Sequence, residues 1–204
     1  MQKHVLPGLA NARALLEGSY NFSREIRPLG GGDVSATCEG TVRLEHFQSG
    51  NTDEGASGSD VPVASSIDRV EREVCWLRYQ EQGQLVMSGK ESTPFAMRQS
   101  YLYRLSSGSL DSNLDTAVEN VLLHIIRTDV QGANVSFDQG SLLCEFDLTS
   151  ISEGEVVSAK THLCGQDNYT GKIVVSDGRF KTLVFDVVGP EKSNRITTDF
   201  TKVT

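Results

Sequence analysis

The chain of 204 residues lacks any apolar run near the roughly 20 residues that a membrane-spanning helix requires. Its first residues, Met1 to His4, are followed by a short amphipathic segment and not by a signal-peptide core. Basic residues are scarce as well, since 19 lysines and arginines stand against 27 acidic residues, a formal net charge of -8. Nucleic acids and anionic membranes are bound mainly through phosphates, so we expect neither as a partner. The sequence predicts a soluble, cytoplasmic protein.

Clustered cysteines are also missing. The four cysteines lie far apart in strand-like segments, at Cys38, Cys75, Cys144 and Cys164. This spacing fits neither a C-x-x-C zinc pattern nor a dense disulfide framework. We therefore expect reduced thiols, no metal site and no cofactor.

The hydrophobic fraction of 38% is sufficient for one packed core, and we expect residues 1–204 to form a single domain. Residues 6–18 have proline near the start, alanine and leucine in the middle and glycine at the end, which predicts one short helix. The pattern then changes to period two, with Tyr20, Phe22 and Ile26 on one face of a half-buried strand.

The same alternation recurs nearly to the end of the chain. Asp177-Gly178 is a strong hairpin signal, whereas Gln82-Gly83 and Gln139-Gly140 are weaker ones. Residues 118–127 also fit a helical stripe, but their valine and isoleucine content favours a strand. The further predicted strands are 36–45, 70–80, 84–89, 95–105, 118–127, 141–148, 155–164, 169–176, 179–188 and 195–203.

These elements predict an all-β fold, an antiparallel up-and-down barrel of about 8–10 strands with a short N-terminal helix, because a closed barrel leaves no exposed edge. Residues 48–67 are rich in glycine, serine and acidic residues and cannot form a core. We expect them to form a flexible insertion loop, and residues 107–116 a second, shorter loop.

Three segments carry a resemblance to a known family. Residues 16–26 fit L-x-G-x-aromatic-x-x-x-R-x-I, residues 159–169 fit A-x-x-H-x-C-x-x-D-x-Y, and residues 187–192 fit V-x-G-P-x-K. They resemble the family called domain of unknown function 6314, which is similar in build to lipocalin-like, calycin-type barrels. Tyr20 and Glu191 depart from the family pattern, which has tryptophan and arginine there. The resemblance implies a barrel with an internal cavity and implies no reaction.

Arg24 is in register with Tyr20 and Ile26, so alternation turns its guanidinium toward the barrel interior. A buried cation requires a paired anion or a hydrogen-bonding ligand. Arg24 could therefore anchor a ligand carboxylate or phosphate, or it could form an internal salt bridge with Glu145 or Asp167.

Period two also places His162 and Cys164 on one face of their predicted strand. A metal site needs three or four ligands, and parallel side chains on one strand do not form the hydrogen bond of a nucleophile and its base. We assign neither metal ligand nor catalytic residue and place both on a pocket wall. Asp167 could alternatively organise the turn before Tyr169. His162 and Cys164 would lie outside the barrel if the more apolar side chains of this segment, Val157, Ala159, Thr161 and Leu163, filled its interior.

The strand 95–105 carries Gln99, Tyr101 and Tyr103 on one face, as core or as cavity lining. We expect binding of a small amphipathic or acidic molecule. The alternatives are an interaction module with a packed barrel, which would bind a protein partner through residues 48–67 or an exposed strand surface, and an enzyme using His162 and Asp167 as acid and base. Binding is expected ahead of catalysis. The predicted ligand-binding residues are Arg24, Gln99, Tyr101, Tyr103, Glu145, His162, Cys164, Asp167 and Tyr169.

Overall fold

A computed structural model of the chain describes residues 8–47, 70–89, 93–109, 119–127, 142–149, 154–158, 162–164 and 166–203. The predicted loop 48–67 and most of the predicted loop 107–116 lie outside these residues. The described elements are α1 (Leu9–Leu16), β1 (Gly18–Pro28), β2 (Ala36–His46), β3 (Val70–Met87), β4 (Phe95–Ser109), β5 (Glu119–Arg127), β6 (Leu142–Asp147), β7 (Gly154–Val157), β8 (His162–Cys164), β9 (Asp167–Ser176), β10 (Arg179–Val188) and β11 (Ser193–Lys202).

The strands form one antiparallel sheet in the order β6-β5-β4-β3-β2-β1-β11-β10-β9-β7, with β8 also paired to β9. Most neighbours in the sheet are neighbours in the chain, and the first strand pairs with the last, as an up-and-down barrel requires. The sheet curls until β6 packs against β8 and β9, which nearly closes it. The all-β class and the barrel-like meander with an N-terminal helix are confirmed.

Helix α1 plugs one end of the barrel. Its buried residues, Leu9, Ala12, Leu15 and Leu16, recur at helical spacing and form one apolar face. The helix contacts β3, β4 and β10, which lie on different sides of the barrel. Tyr20 on β1 donates its hydroxyl hydrogen bond to the Leu16 carbonyl, at 2.8 Å. No helix among the described residues is long and apolar enough to cross a bilayer.

The interior beside α1 is tightly packed. The Phe180 and Phe200 rings stack at 4.6 Å between centroids, and Tyr20 meets the Phe200 ring edge-on at 5.9 Å. Leu77 and Leu105 are fully buried next to this aromatic cluster. Side chains of the hydrophobic core therefore fill the interior beside α1.

The turn predicted at Gln82-Gly83 is wrong, because β3 runs without interruption through this position. Gly83 instead lies opposite Gly40 on β2. A Cβ atom at Gly40 would stand 2.1 Å from the Gln82 carbonyl oxygen and 2.5 Å from the Gly83 Cα. The two glycines therefore serve the close approach of two strands and not a reversal of the chain.

Two further boundaries differ from the prediction. The described residues of the predicted strand 155–164 belong mainly to two short strands, β7 and β8. Strand β4 continues to Ser109, into the start of the predicted loop 107–116. Two other predictions are confirmed: residues 119–127 form a strand, and Asp177-Gly178 is the turn of the β9–β10 hairpin. Both turn residues have positive φ, 55° and 63°, as a two-residue type I′ hairpin requires. Gln139-Gly140 lies outside the described residues.

The thiol of Cys144 is expected to be chemically inert in the folded protein. Burial raises its pKa to about 12, and the thiolate is the nucleophilic form. Iodoacetamide at pH 8 should alkylate Cys144 at least about a hundredfold more slowly in the folded protein than in urea, because so little thiolate is present and the sulfur is covered. Mass spectrometry of the alkylated peptides measures both rates, and equal rates would contradict the buried position.

Candidate functional site

The half of the interior away from α1 contains a cavity of about 590 Å³. Apolar side chains from β1, β5, β6, β10 and β11 form part of its wall, namely Ile26, Ile125, Leu143, Leu183, Phe185 and Ile196. Four tyrosines add aromatic surface, Tyr79, Tyr101, Tyr103 and Tyr169. The barrel interior is therefore divided into a packed half and a hollow half.

Arg24 lies in the cavity wall and forms a buried ion pair with Glu81. Nη1 and Nη2 of Arg24 donate to the two carboxylate oxygens of Glu81, at 2.8 and 2.7 Å. The Glu81 side chain is 0% exposed and that of Arg24 is 11% exposed. This two-bond geometry satisfies both charges at a position largely shielded from water.

Two further groups complete the Arg24–Glu81 pair. Arg24 Nε donates to Thr198 Oγ1 at 2.8 Å, and the Tyr79 hydroxyl donates to Glu81 Oε2 at 2.5 Å. Burial alone would lower the pKa of Arg24, but the charge and hydrogen bonds of Glu81 outweigh it and raise that pKa. Burial, with the neighbouring Tyr103 and Glu81, holds the pKa of Tyr79 well above its usual value. Arg24 is thus charged and Tyr79 is a neutral donor at neutral pH.

The inward direction predicted for Arg24 is confirmed, and the predicted partners of its salt bridge are wrong. Glu145 instead lies within hydrogen-bond distance of His124, with 3.0 Å between His124 Nε2 and Glu145 Oε2. Asp167 accepts a hydrogen bond from Lys192 Nζ at 2.8 Å. Neither carboxylate lies in the wall of the cavity among the described residues.

The predicted tyrosine face does line the cavity. Tyr79 stacks on Tyr103 with 5.4 Å between ring centroids and meets Tyr101 edge-on at 5.5 Å. The Tyr101 hydroxyl donates to Gln99 Oε1 at 2.9 Å, so that the Gln99 amide nitrogen keeps its donor hydrogens for another acceptor. The cavity wall thus combines packed aromatic rings with hydroxyl groups that are hydrogen-bonded to Glu81 and Gln99.

The backbone places His162 opposite Tyr169 and Cys164 opposite Asp167 in the β8–β9 ladder. Two members of the more apolar alternative set, Val157 and Leu163, do not fill the barrel, because they are 57% and 61% exposed. The other two, Ala159 and Thr161, lie outside the described residues. Tyr169 lines the cavity. Among the residues that the structure describes, no group of three or more histidine, cysteine or acidic side chains could hold a metal ion.

Sequence reasoning missed Glu81 and Tyr79. The signal was present, because Cys75, Leu77, Tyr79 and Glu81 alternate with more polar residues and so share the inward face of β3. Glu81 is a charged residue at an inward position among apolar ones, and the same pattern identified Arg24. The alternation can be followed as far as Glu81 only if β3 is one continuous strand. The turn predicted at Gln82-Gly83 ended the predicted strand before this residue.

Sequence reasoning also missed two arginines at the cavity, Arg98 on β4 and Arg127 at the end of β5. With Arg24 they are the three arginines that border the cavity, and no aspartate or glutamate borders it among the described residues. This is the reverse of the composition of the chain, whose formal net charge is -8. The cavity is therefore bordered by apolar residues, tyrosines and arginines, and Glu81 balances the charge of one of these arginines, Arg24.

Neither a curated protein nor a solved structure matches the chain. A family model does, and its description is a family of unknown function, DUF6314. The match covers residues 117–202, which include two of the three motifs that carry the resemblance, and it leaves out residues 16–26. Over this part, which contains β5 to β11, the chain is similar to the DUF6314 family.

Proposed function

We propose that the protein binds a small amphipathic or acidic molecule in the hollow half of its barrel. The observation that carries this proposal is the cavity of about 590 Å³, which falls in the range of roughly 300–1,000 Å³ typical of small-molecule sites. Mostly apolar walls with a few converging polar groups are the composition of such sites.

The composition of the cavity wall favours a binding site over an unused gap in the packing. Rigid tyrosine rings offer large contact area at small entropic cost, and Gln99 and Arg24 place hydrogen-bond donors beside them. A bound molecule would cover apolar surface that folding leaves uncovered in this half, while α1 covers the other half.

No observation favours the two alternative functions, an interaction module with a packed barrel and an enzyme that uses His162 and Asp167. A packed barrel describes only the half beside α1. An acid–base pair of His162 and Asp167 would need a carboxylate that is free to exchange protons, and Lys192 holds that carboxylate in an ion pair at 2.8 Å.

Native mass spectrometry of the purified protein, beside the same protein denatured, tests the proposal directly. A molecule that is retained in the native spectrum and lost on denaturation would support it and identify the chemistry. Titration with anilinonaphthalene sulfonate, an amphipathic acid, provides a second test on protein from which such molecules have been removed. We expect saturable binding of one equivalent, and the absence of both signals would overturn the proposal.

A tryptophan in place of Ile196 is expected to weaken binding of this probe at least about tenfold, because the larger ring occupies the volume that the probe would take. Thr201→Trp is the matched control, since Thr201 is an exposed residue of the same strand, β11, and does not line the cavity. Fluorescence titration measures both affinities, and circular dichroism checks that both variants fold. Equal affinities in the two variants would place the probe outside the cavity.

A further inference from the structure

We propose that the ligand of the cavity is uncharged and that its polar group is a hydrogen-bond acceptor, such as the carbonyl of an ester, amide or ketone, which binds the side-chain amide of Gln99. This inference rests on the proposed small-molecule binding and narrows the ligand from an amphipathic or acidic molecule to a neutral amphipathic one. It makes Gln99 the residue that selects the polar group of the ligand.

The Arg24–Glu81 pair offers no net charge to a ligand. Nε, Nη1 and Nη2 of Arg24 each donate to a protein oxygen within 2.8 Å. Both carboxylate oxygens of Glu81 accept from Arg24, and Oε2 also accepts from the Tyr79 hydroxyl. A ligand anion beside Arg24 would lie close to the Glu81 carboxylate, and a ligand cation beside Glu81 would lie close to the guanidinium. Neither sign of charge therefore gains enough attraction to offset the loss of its hydration.

The other two arginines at the border of the cavity do not provide a buried anion site. Arg98 precedes Gln99 on β4, so alternation turns its side chain to the outer face, where it is exposed. Arg127 is exposed at the end of β5 and interacts with other groups of the protein. Water reaches both residues and weakens their attraction for an anion inside the barrel. An ionised group of a ligand is therefore tolerated only at the end of the barrel away from α1, in contact with water.

Gln99 supplies the donor that a neutral ligand needs. It alternates with Met97 and Tyr101 on the inward face of β4, and its half-buried side chain borders the cavity. The Tyr101 hydroxyl donates to Gln99 Oε1 at 2.9 Å. Burial raises the pKa of Tyr101, so the phenol stays protonated at neutral pH and remains this donor. The bond fixes Oε1 toward Tyr101 and leaves the amide hydrogens of Nε2 for another acceptor, which none of the described residues provides.

The aliphatic part of the wall suits the hydrocarbon part of such a ligand. Ile125, Leu143 and Leu183 border the cavity and also belong to the hydrophobic core that continues to α1. A hydrocarbon chain or ring buried against them gains the hydrophobic contribution. A carbonyl costs far less to bury than a carboxylate, and a hydrogen bond from Gln99 offsets that cost. The cavity therefore favours a molecule with one neutral acceptor on an otherwise apolar body.

Two fluorescent probes of nearly the same shape test the charge of the ligand. They are dimethylaminonaphthoic acid, which is ionised at neutral pH, and its uncharged methyl ester. We expect the ester to bind at least about tenfold more tightly than the acid, because the carboxylate loses its hydration in the cavity without gaining a counterion. Fluorescence titration measures both affinities. This comparison uses the unaltered protein, so its outcome does not depend on the folding of any variant.

A third probe, dimethylaminonaphthalene, lacks the carbonyl and tests the role of Gln99. The ratio of its dissociation constant to that of the ester measures what the acceptor contributes, and general changes of the cavity cancel in this ratio. In Gln99→Leu the ratio should fall about fivefold, which corresponds to one neutral hydrogen bond. Gln99→Met, which keeps the length of the side chain, should give the same fall.

Gln84→Leu is the matched control for the changes at Gln99. Gln84 is exposed on the neighbouring strand β3 and does not border the cavity, so its replacement should leave the ratio as it is in the unaltered protein. Circular dichroism checks that all three variants fold.

The outcomes separate this inference from the proposed function. Tighter binding of the ester, together with a lower ratio in the Gln99 variants, supports the inference. Acid binding as tight as that of the ester overturns it and leaves the cavity as a site for acidic molecules. A ratio that stays the same in the Gln99 variants also overturns it, because the acceptor then does not bind Gln99. If none of the three probes binds, the inference fails, and the anilinonaphthalene sulfonate titration and the native mass spectrum decide separately whether the proposed function fails.

Discussion

Replacing Glu81 with alanine is expected to lower the free energy of unfolding by about 3–5 kcal/mol, because the change leaves the Arg24 guanidinium buried without its anion. The Tyr79 hydroxyl loses its acceptor at the same time. Urea denaturation followed by circular dichroism measures the loss. The loss should appear in the midpoint and not in the slope, since the folded structure and its buried surface are otherwise retained.

A double-variant cycle separates the ion pair from simple loss of packing. Removing Arg24 and Glu81 together, as R24M/E81L, should cost less than the sum of the two single changes, because no unpaired charge then remains in the interior. Glu25→Ala is the exposed control, since the Glu25–Arg27 pair lies half exposed on the outer face and is worth about 0–1 kcal/mol. Equal losses for Glu81→Ala and Glu25→Ala would contradict the buried network.

Gly40→Ala is expected to destabilise the protein by about 3 kcal/mol, at the upper end of the cost of overpacking. The added Cβ atom would stand 2.1 Å from the Gln82 carbonyl oxygen and 2.5 Å from the Gly83 Cα. These are backbone atoms of a paired strand, so they cannot rotate away as a side chain would, and the β2–β3 ladder must separate. Thermal or urea unfolding measures the change.

Gly30→Ala is the matched control for Gly40→Ala. No atom lies within 4 Å of a Cβ built at Gly30, in the connection between β1 and β2. Its replacement should change the free energy of unfolding by less than about 1 kcal/mol, in either direction. A comparable loss at both positions would mean that the close approach of β2 and β3 is not what requires glycine at position 40.

Two of the motifs that carry the family resemblance meet in space at the mouth of the barrel. Asp167 belongs to one motif and Lys192 to the other, and their ion pair joins the turn before β9 to the turn before β11. A Cβ atom at Gly189 would collide with the Asp167 carboxylate, at 1.9 Å from Oδ1. The glycine, aspartate and lysine therefore hold two hairpins together beside Tyr169, whose side chain lines the cavity.

The local features of the fold could be predicted from the sequence. The helical spacing of leucine and alanine predicted α1, and Asp177-Gly178 predicted a hairpin because two consecutive residues with positive φ favour these residue types. The inward direction of Arg24 followed from period two alone. Each of these depends only on neighbours along the chain, and each is confirmed.

The tertiary structure decided what lies opposite each residue. The sequence alone predicted a turn at Gly83, because glycine permits either a reversal of the chain or the close approach of a second strand. Only the pairing of β3 with β2 shows that the close approach applies here. Glu81 aligns in the ladder with Val42 and Tyr20, four residues from Arg24 on β1, so pairing alone does not join the two charges.

The curvature of the barrel and the length of the arginine side chain bring Arg24 and Glu81 together across β2. The division of the interior into a packed half and a cavity depends likewise on where α1 docks. By itself the sequence determined which side chains point inward, because alternation is local. Only the curled, nearly closed sheet decided which of them meet and where space remains, because those distances depend on strand tilt, register and the position of the helix.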